Sequence, residues 1–261
     1  VRYLFLITLF IVSLKSFGFT LNNNVSLAFN SNPVKVNVAV TTTPCTNIGI
    51  DERELLTIAN DAVNQYWNRT PTSKLKIRSG SLIQTGSDIY RIKRICLTGT
   101  NCEPNPEVEV DSNILIACNT EPANFSSGSV LAVTVPNNVN GTTIFGSLII
   151  LNDIASTQFA SKSRDEKVAI IAHEIGHAIG LGHSPVRDSL MYYSVVPNRR
   201  SLGQDDVDGM TYLYPKEQPI ACGSIKDISK SETLLPIILG FLLMNLFYFK
   251  FRKKYFEQSA L

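Results

Sequence analysis

The sequence predicts an α+β fold: one domain of about 200 residues with several strands and a few helices. Three observations predict it. Val34 to Thr41 alternates apolar and polar side chains, the period of a strand with one buried face. Asp51 and Ser163 each precede apolar residues at helical spacing, and each has a glutamate three positions later, the pattern of a capped helix start. Apolar stretches at 129–136 and 145–153, bounded by turn formers, supply further strands.

In chain order, Arg2 is followed by an apolar run from Tyr3 to Leu14 and then by the small residues Ser16 and Gly18. Residues 1–18 therefore read as an export signal outside the fold, although an uncleaved N-terminal anchor has the same pattern. The domain is expected over 19–216. Val34, Val36, Val38 and Val40 share one strand face. Asp51 and Glu54 form a capping box for a long helix carrying Leu55, Ile58, Ala59, Ala62, Val63, Tyr66 and Trp67. Trp67, the sole tryptophan, is a core residue at the helix end. A turn at Thr70-Pro71 leads to a strand near Leu75 to Arg78. Residues 80–127 carry weaker signals, with short strands expected at Ile89 to Ile95 and Ile114 to Cys118. Ser129 to Pro136 reads as a strand closed by its proline, and Phe145 to Asp153 as the next. Ser163 and Glu166 cap a helix that buries Val168, Ile171, Ala172, Ile175, Ala178 and Ile179. Ser201 to Pro215 closes the domain.

The formal charge of +2 comes from the ends of the chain. Six basic residues and one acidic residue lie in the two terminal segments, so 18 basic and 21 acidic residues remain between them, a net of −3. Nothing there suits nucleic acid.

All three histidines fall within His173-Glu174-Ile175-Gly176-His177-Ala178-Ile179-Gly180-Leu181-Gly182-His183. Residues four apart on a helix lie about 40° from one another around the axis, so His173 and His177 aim two imidazoles at one point. Glu174 sits one step round, placed for a general base and not for a ligand. Gly180 permits a positive-φ turn, after which His183 can return as a third ligand. Three imidazoles and one water make a four-coordinate catalytic zinc site with an open position. A methionine, Met191, follows His183 by eight residues, within Ser189-Leu190-Met191-Tyr192-Tyr193.

This run resembles the metzincin peptidases, and its short gap resembles the matrixin branch, the relatives of matrix metalloproteinases. The resemblance implies a zincin catalytic domain, with a mixed twisted sheet, an edge strand over the cleft, a long first helix, the zinc-binding helix and a C-terminal helix. It implies that Met191 lies beneath the metal, and that Asp205 and Asp206 are structural rather than catalytic, one of them anchoring that turn. Leu131 and Ala132 match the edge strand that pairs with an extended peptide, and Leu151-Asn152-Asp153 is also similar. Tyr193 has the spacing of a movable ligand in other branches and is otherwise a wall of the pocket. One catalytic zinc is implied. Positions 128–153 hold no histidine, so the second zinc of the animal enzymes is not carried over and calcium is not supported. The latency segment Pro-Arg-Cys-Gly does not occur in the sequence, and no folded prodomain is expected within the residues before the first strand.

The implied activity is endopeptidase. Zinc on His173, His177 and His183 would bring the pKa of its water to about 7. Glu174 would take that proton and return it to the departing amine. A surface binding or adhesion module that keeps the fold and the metal is the alternative, and an intact Glu174 speaks against it.

Residues 217–232 read as a linker. Residues 233–250 form an apolar run near the minimum length for a bilayer span, and the tail 251–261 is basic. The catalytic domain would then stand outside the membrane with the C-terminus in the cytoplasm. A C-terminal sorting segment, cut off on surface attachment, fits the same pattern. Five cysteines scattered through an exported chain suggest disulfides. Cys96–Cys102 is the first choice, Cys45–Cys118 is taken as a second without a positive argument, and Cys222 is left over. Asn24, Asn68, Asn124 and Asn140 stand in glycosylation triplets.

Overall fold

A computed structural model describes residues 18–22, 25–30, 34–85, 89–95, 110, 112–155, 157–194 and 199–216. The export-signal stretch 1–17, the linker, the apolar C-terminal run and Cys96, Cys102 and Cys222 lie outside these residues. No helix among the described residues is long and apolar enough to cross a membrane.

Six strands form one sheet: β1 (Ala28–Phe29), β2 (Lys35–Thr41), β3 (Lys76–Ile83), β4 (Ile114–Asn119), β5 (Ala132–Asn140) and β6 (Thr143–Asn152). The order is β1-β6-β4-β2-β3, all parallel, and β5 joins β6 antiparallel through a tight hairpin. Among the described residues, four α-helices accompany them: α1 (Glu52–Gln65), a single turn α2 (Ile89–Ile92), α3 (Arg164–Ala178) and α4 (Gln204–Leu213).

The alternation of β2 survives folding. Val36, Val38 and Val40 enter the main core beneath α1 and α3, whereas Lys35 and Asn37 face solvent. Central β4 is buried throughout, because both its faces are covered. Ile114, Ile116 and Cys118 join the main core, and Leu115 and Ala117 join a smaller one with Ala39, Leu148, Ile150 and Tyr90. Cys45 and Cys118 are bonded, with Cα atoms 5.4 Å apart across 73 residues of sequence. This ties the loop after β2 to the centre of the sheet.

Asp51 caps α1 by accepting from the N–H groups of Arg53 and Glu54 at 2.9 and 2.7 Å. The reciprocal Glu54 arm of the box is not made. Trp67 opens the 3-10 turn (Trp67–Arg69) that follows α1, is fully buried, and donates its Nε1–H to the Ala172 carbonyl of α3 at 2.8 Å. It therefore joins the end of α1 to α3 as well as filling the core.

Three strand expectations need correction. Ile89–Ile92 is a helical turn and not a strand. Its neighbour β4 already has β2 and β6 on its two edges, so this segment has no edge to join. It lies across the far face of the sheet instead, burying Tyr90 and Ile95. Pro136 does not close β5, which continues to Asn140. The Leu131 carbonyl accepts from Asn152 N–H at 3.0 Å, so odd-numbered peptide groups bond β6 and even-numbered ones face the free edge. The N–H that proline lacks falls on that free edge, where no ladder bond is lost. Finally, β3 runs past Arg78 to Ile83, through an irregularity opposite Asn37 and Ala39.

Two of the glycosylation triplets are engaged in the fold. Asn68 bonds both the N–H and the carbonyl of Ile77, at 2.9 and 2.7 Å. Asn124 is buried and bonds Lys93 O, Asn119 Oδ1 and Ile95 N–H.

Candidate metal centre

The ligand helix α3 begins with a complete capping box. The Ser163 hydroxyl oxygen accepts from Glu166 N–H at 3.3 Å, and the Glu166 carboxylate accepts from Ser163 N–H at 2.9 Å. These bonds hold the Glu166 carboxyl below the usual carboxylate range. Ser163→Ala is expected to cost about 1 kcal/mol. A thermal melt should show it as a fall in Tm of about 2–4 °C.

Three turns further along, His173 and His177 project from the same face, and the chain leaves the helix through Gly180 at φ 108°. A side chain at Gly180 would also meet the Leu27 carbonyl, with its Cβ at 2.2 Å. His183 then returns, and one ring nitrogen from each histidine lies within 4.8 Å of the others.

The protonation of two rings follows from their partners. Nδ1 of His173 lies 2.8 Å from the Leu190 carbonyl, and Nδ1 of His177 lies 2.8 Å from the Leu181 carbonyl. A carbonyl only accepts, so the tautomer of each neutral ring carries its proton on Nδ1, which leaves Nε2 as the nitrogen with a lone pair for a metal. Nε2 of His177 stands 3.3 Å from Nε2 of His183. Metal–nitrogen bonds of ~2.0–2.1 Å at tetrahedral angles give ligand separations of roughly 3.3–3.4 Å. Neutral nitrogens at this spacing suit a zinc ion.

The surroundings favour the neutral form. Burial, with the nearby His173 adding to it, pushes His177 well below its ordinary pKa, against the pull of the Leu181 carbonyl. His183 is lowered for the same two reasons, burial first. Glu174 is buried and outside the ligand cluster. Burial raises its carboxyl, while His173 and a hydrogen bond from Thr134 draw it down.

Met191 packs against Gly176 of the ligand helix, in a turn held by one residue of α4. The Asp206 carboxylate accepts from the N–H groups of Leu190, Met191 and Gly203 at 2.6, 3.0 and 2.7 Å, and from the Ser189 hydroxyl. Ser184 N–H bonds the Met191 carbonyl at 2.7 Å and so closes the eight-residue loop from His183. Gly176 is what lets this turn approach the helix: a Cβ there would sit 2.3 Å from Met191 Sδ and 2.8 Å from Trp67 Cζ2. Asp205 makes none of these bonds, and its Oδ2 has no hydrogen-bond partner among the described residues. Of the two aspartates, Asp206 is the one that anchors the turn.

A cleft of about 620 Å³ opens over the site. Leu131, Ala132, His173, Glu174, His183 and Tyr193 are among the residues that line it. Tyr193 is 66% exposed, and its hydroxyl accepts from that of Tyr192 at 2.9 Å. In this arrangement it is a wall of the cleft.

Sequence reasoning missed the orienting carbonyls of Leu181 and Leu190, which no side-chain pattern announces. It also missed Thr134, whose hydroxyl lies 2.6 Å from Glu174 Oε2.

A family model described as matrixin matches residues 48–215. Metalloendoproteinase 2-MMP of Arabidopsis thaliana is 51% identical over 51 residues, 19% of this chain and 13% of that protein. Metalloendoproteinase 1 of Glycine max is 44% identical over 64 residues, 24% of this chain and 20% of that protein. Human matrix metalloproteinase-19 is 43% identical over 72 residues, 26% of this chain and 13% of that protein. The chain thus spans a fifth or less of the length of these curated relatives.

Proposed function

The chain belongs to the matrixin family, and from this premise we propose that it is a zinc-dependent endopeptidase acting on extended peptide segments of proteins. The observation that carries the reading is the convergence of three imidazoles beside a buried carboxylate that is not one of them. Such a carboxylate has no use in merely holding a metal. His173, His177 and His183 would hold the zinc, which when bound supplies an electrophile that polarises a peptide carbonyl and acidifies water.

The residues of the chain do the rest. The free edge of β5, at Ala132 and Thr134, offers backbone N–H and C=O groups that would pair with an extended peptide and lay it along the cleft. Glu174 takes a proton from the attacking water and passes it to the amine that departs. Burial lifts its proton affinity toward the range that suits both steps.

The reading extends to location. Residues 1–18 would direct export, and 233–250 would tether the domain outside the membrane or serve as a sorting segment. The Cys45–Cys118 bond supports an oxidising compartment.

Incubation of the purified protein with a mixed peptide library, with its zinc content measured in parallel, tests the proposal. Cleavage at internal peptide bonds is expected. Bound zinc without cleavage would sink the endopeptidase reading and leave a binding module.

A further inference from the structure

Thr134 lies on β5 opposite Ile149, on the strand that borders the cleft, and strand and helix α3 pack against each other there. Its hydroxyl is 2.6 Å from Glu174 Oε2 and 3.3 Å from the Glu174 backbone carbonyl. A hydroxyl has one proton to give, and the shorter contact to the carboxylate takes it. Among the described residues no other side chain hydrogen-bonds this carboxylate. We propose that Thr134 is a positioning residue for the general base, fixing the Glu174 carboxylate so that Oε2 is occupied and Oε1 is the oxygen that exchanges the proton.

The proposal rests on the endopeptidase reading for its kinetics, but the hydrogen bond itself does not. A buried glutamate has three side-chain torsions, and among the described residues no other side-chain hydrogen bond restrains this one. With Oε2 tied to the strand, the carboxylate keeps one orientation as the bond from Thr134 persists. Oε1 gains the water proton and later loses it to the amine, while Oε2 goes on accepting from Thr134 in both states. The threonine proton is never transferred. The base therefore needs no rearrangement between the two halves of the reaction, the kind of preorganisation that lowers a barrier.

The placement also joins the base to the substrate. The peptide groups of Ala132 and Thr134 face the free edge, so a peptide paired there contacts the residue that holds Glu174. Binding and orientation of the base thereby share one strand.

Thr134→Val removes the hydroxyl at nearly constant shape, and Thr134→Ser keeps it. With zinc content equal in all proteins, T134V is expected to lower kcat by about tenfold, a fraction of the ~10²–10⁴ attributed to a general base, with KM changed less than about twofold. T134S should return kcat to within about threefold of the parent. Independently of turnover, Tm measured for the parent, T134V, E174A and the double variant should show that T134V lowers Tm only where Glu174 is present. This cycle separates the two ideas: an inactive parent with coupled melting would overturn the endopeptidase reading and keep the hydrogen bond. Equal kcat in T134V and the parent overturns the proposal, as does a T134S as slow as T134V or a melting effect unchanged by E174A. Loss of zinc from T134V would overturn it too, since the residue would then support the metal and not the base.

Discussion

Glu174→Ala is expected to reduce kcat for peptide hydrolysis by about 10²–10⁴-fold and to leave the bound zinc unchanged. The two halves of this prediction come from one fact of geometry. Glu174 follows His173 directly in α3, yet the ligand cluster contains the three histidines alone. Its removal deletes a proton acceptor without opening the coordination sphere. Alanine also relieves a buried carboxyl of its desolvation, so the variant should melt no earlier by more than the small loss of the Thr134 bond. Single-turnover and steady-state assays beside metal analysis check both halves. A variant that lost zinc along with activity would mean that the glutamate supports the metal directly, and the assignment of base and ligands would have to be redrawn.

The second large effect is expected at Asp206. Replacing it with alanine strands the N–H groups of Leu190, Met191 and Gly203 and the Ser189 hydroxyl in a buried site. An unsatisfied buried donor costs about 1–3 kcal/mol. Local relaxation and entering water recover part of the total, so a loss on the order of 3–5 kcal/mol is expected, comparable to breaking a buried charged contact. For a domain of this size that corresponds to a Tm lower by roughly 10 °C. Because the Leu190 carbonyl orients His173, zinc affinity should fall with it. Asp205→Ala makes the comparison, since that side chain bonds none of these groups. Similar melting of the two variants would show that Asp206 does not carry the turn.

What could be read from the sequence was what depends on spacing. The imidazole pair, the Gly180 exit, the Ser163 cap and the apolar faces of β2 and α3 are all local periodicities, and they stand in the fold as the pattern requires. What could not be read depends on neighbours distant in sequence. Ile89–Ile92 has β-branched residues and still forms a helical turn, because the adjacent sheet edges are taken. Pro136 argues for a strand end wherever a strand is paired on both sides, and only the topology places it at a free edge. Asp205 and Asp206 are equivalent as text, yet α4 turns one toward the methionine loop and not the other. Thr134 carries no motif at all, since its partner is 40 residues away.

Pro136 has one more consequence. A strand that leaves its edge open to recruit a peptide is equally open to a second copy of itself, the usual route from an exposed edge to aggregates. At position 136 the edge has no N–H to donate, and the strand register slips between Pro136 and Val139. A regular ladder can therefore grow only over the few residues before the proline. That length suffices to hold a substrate beside Glu174, and it is too short to seed the continuous pairing on which sheet-to-sheet assembly depends.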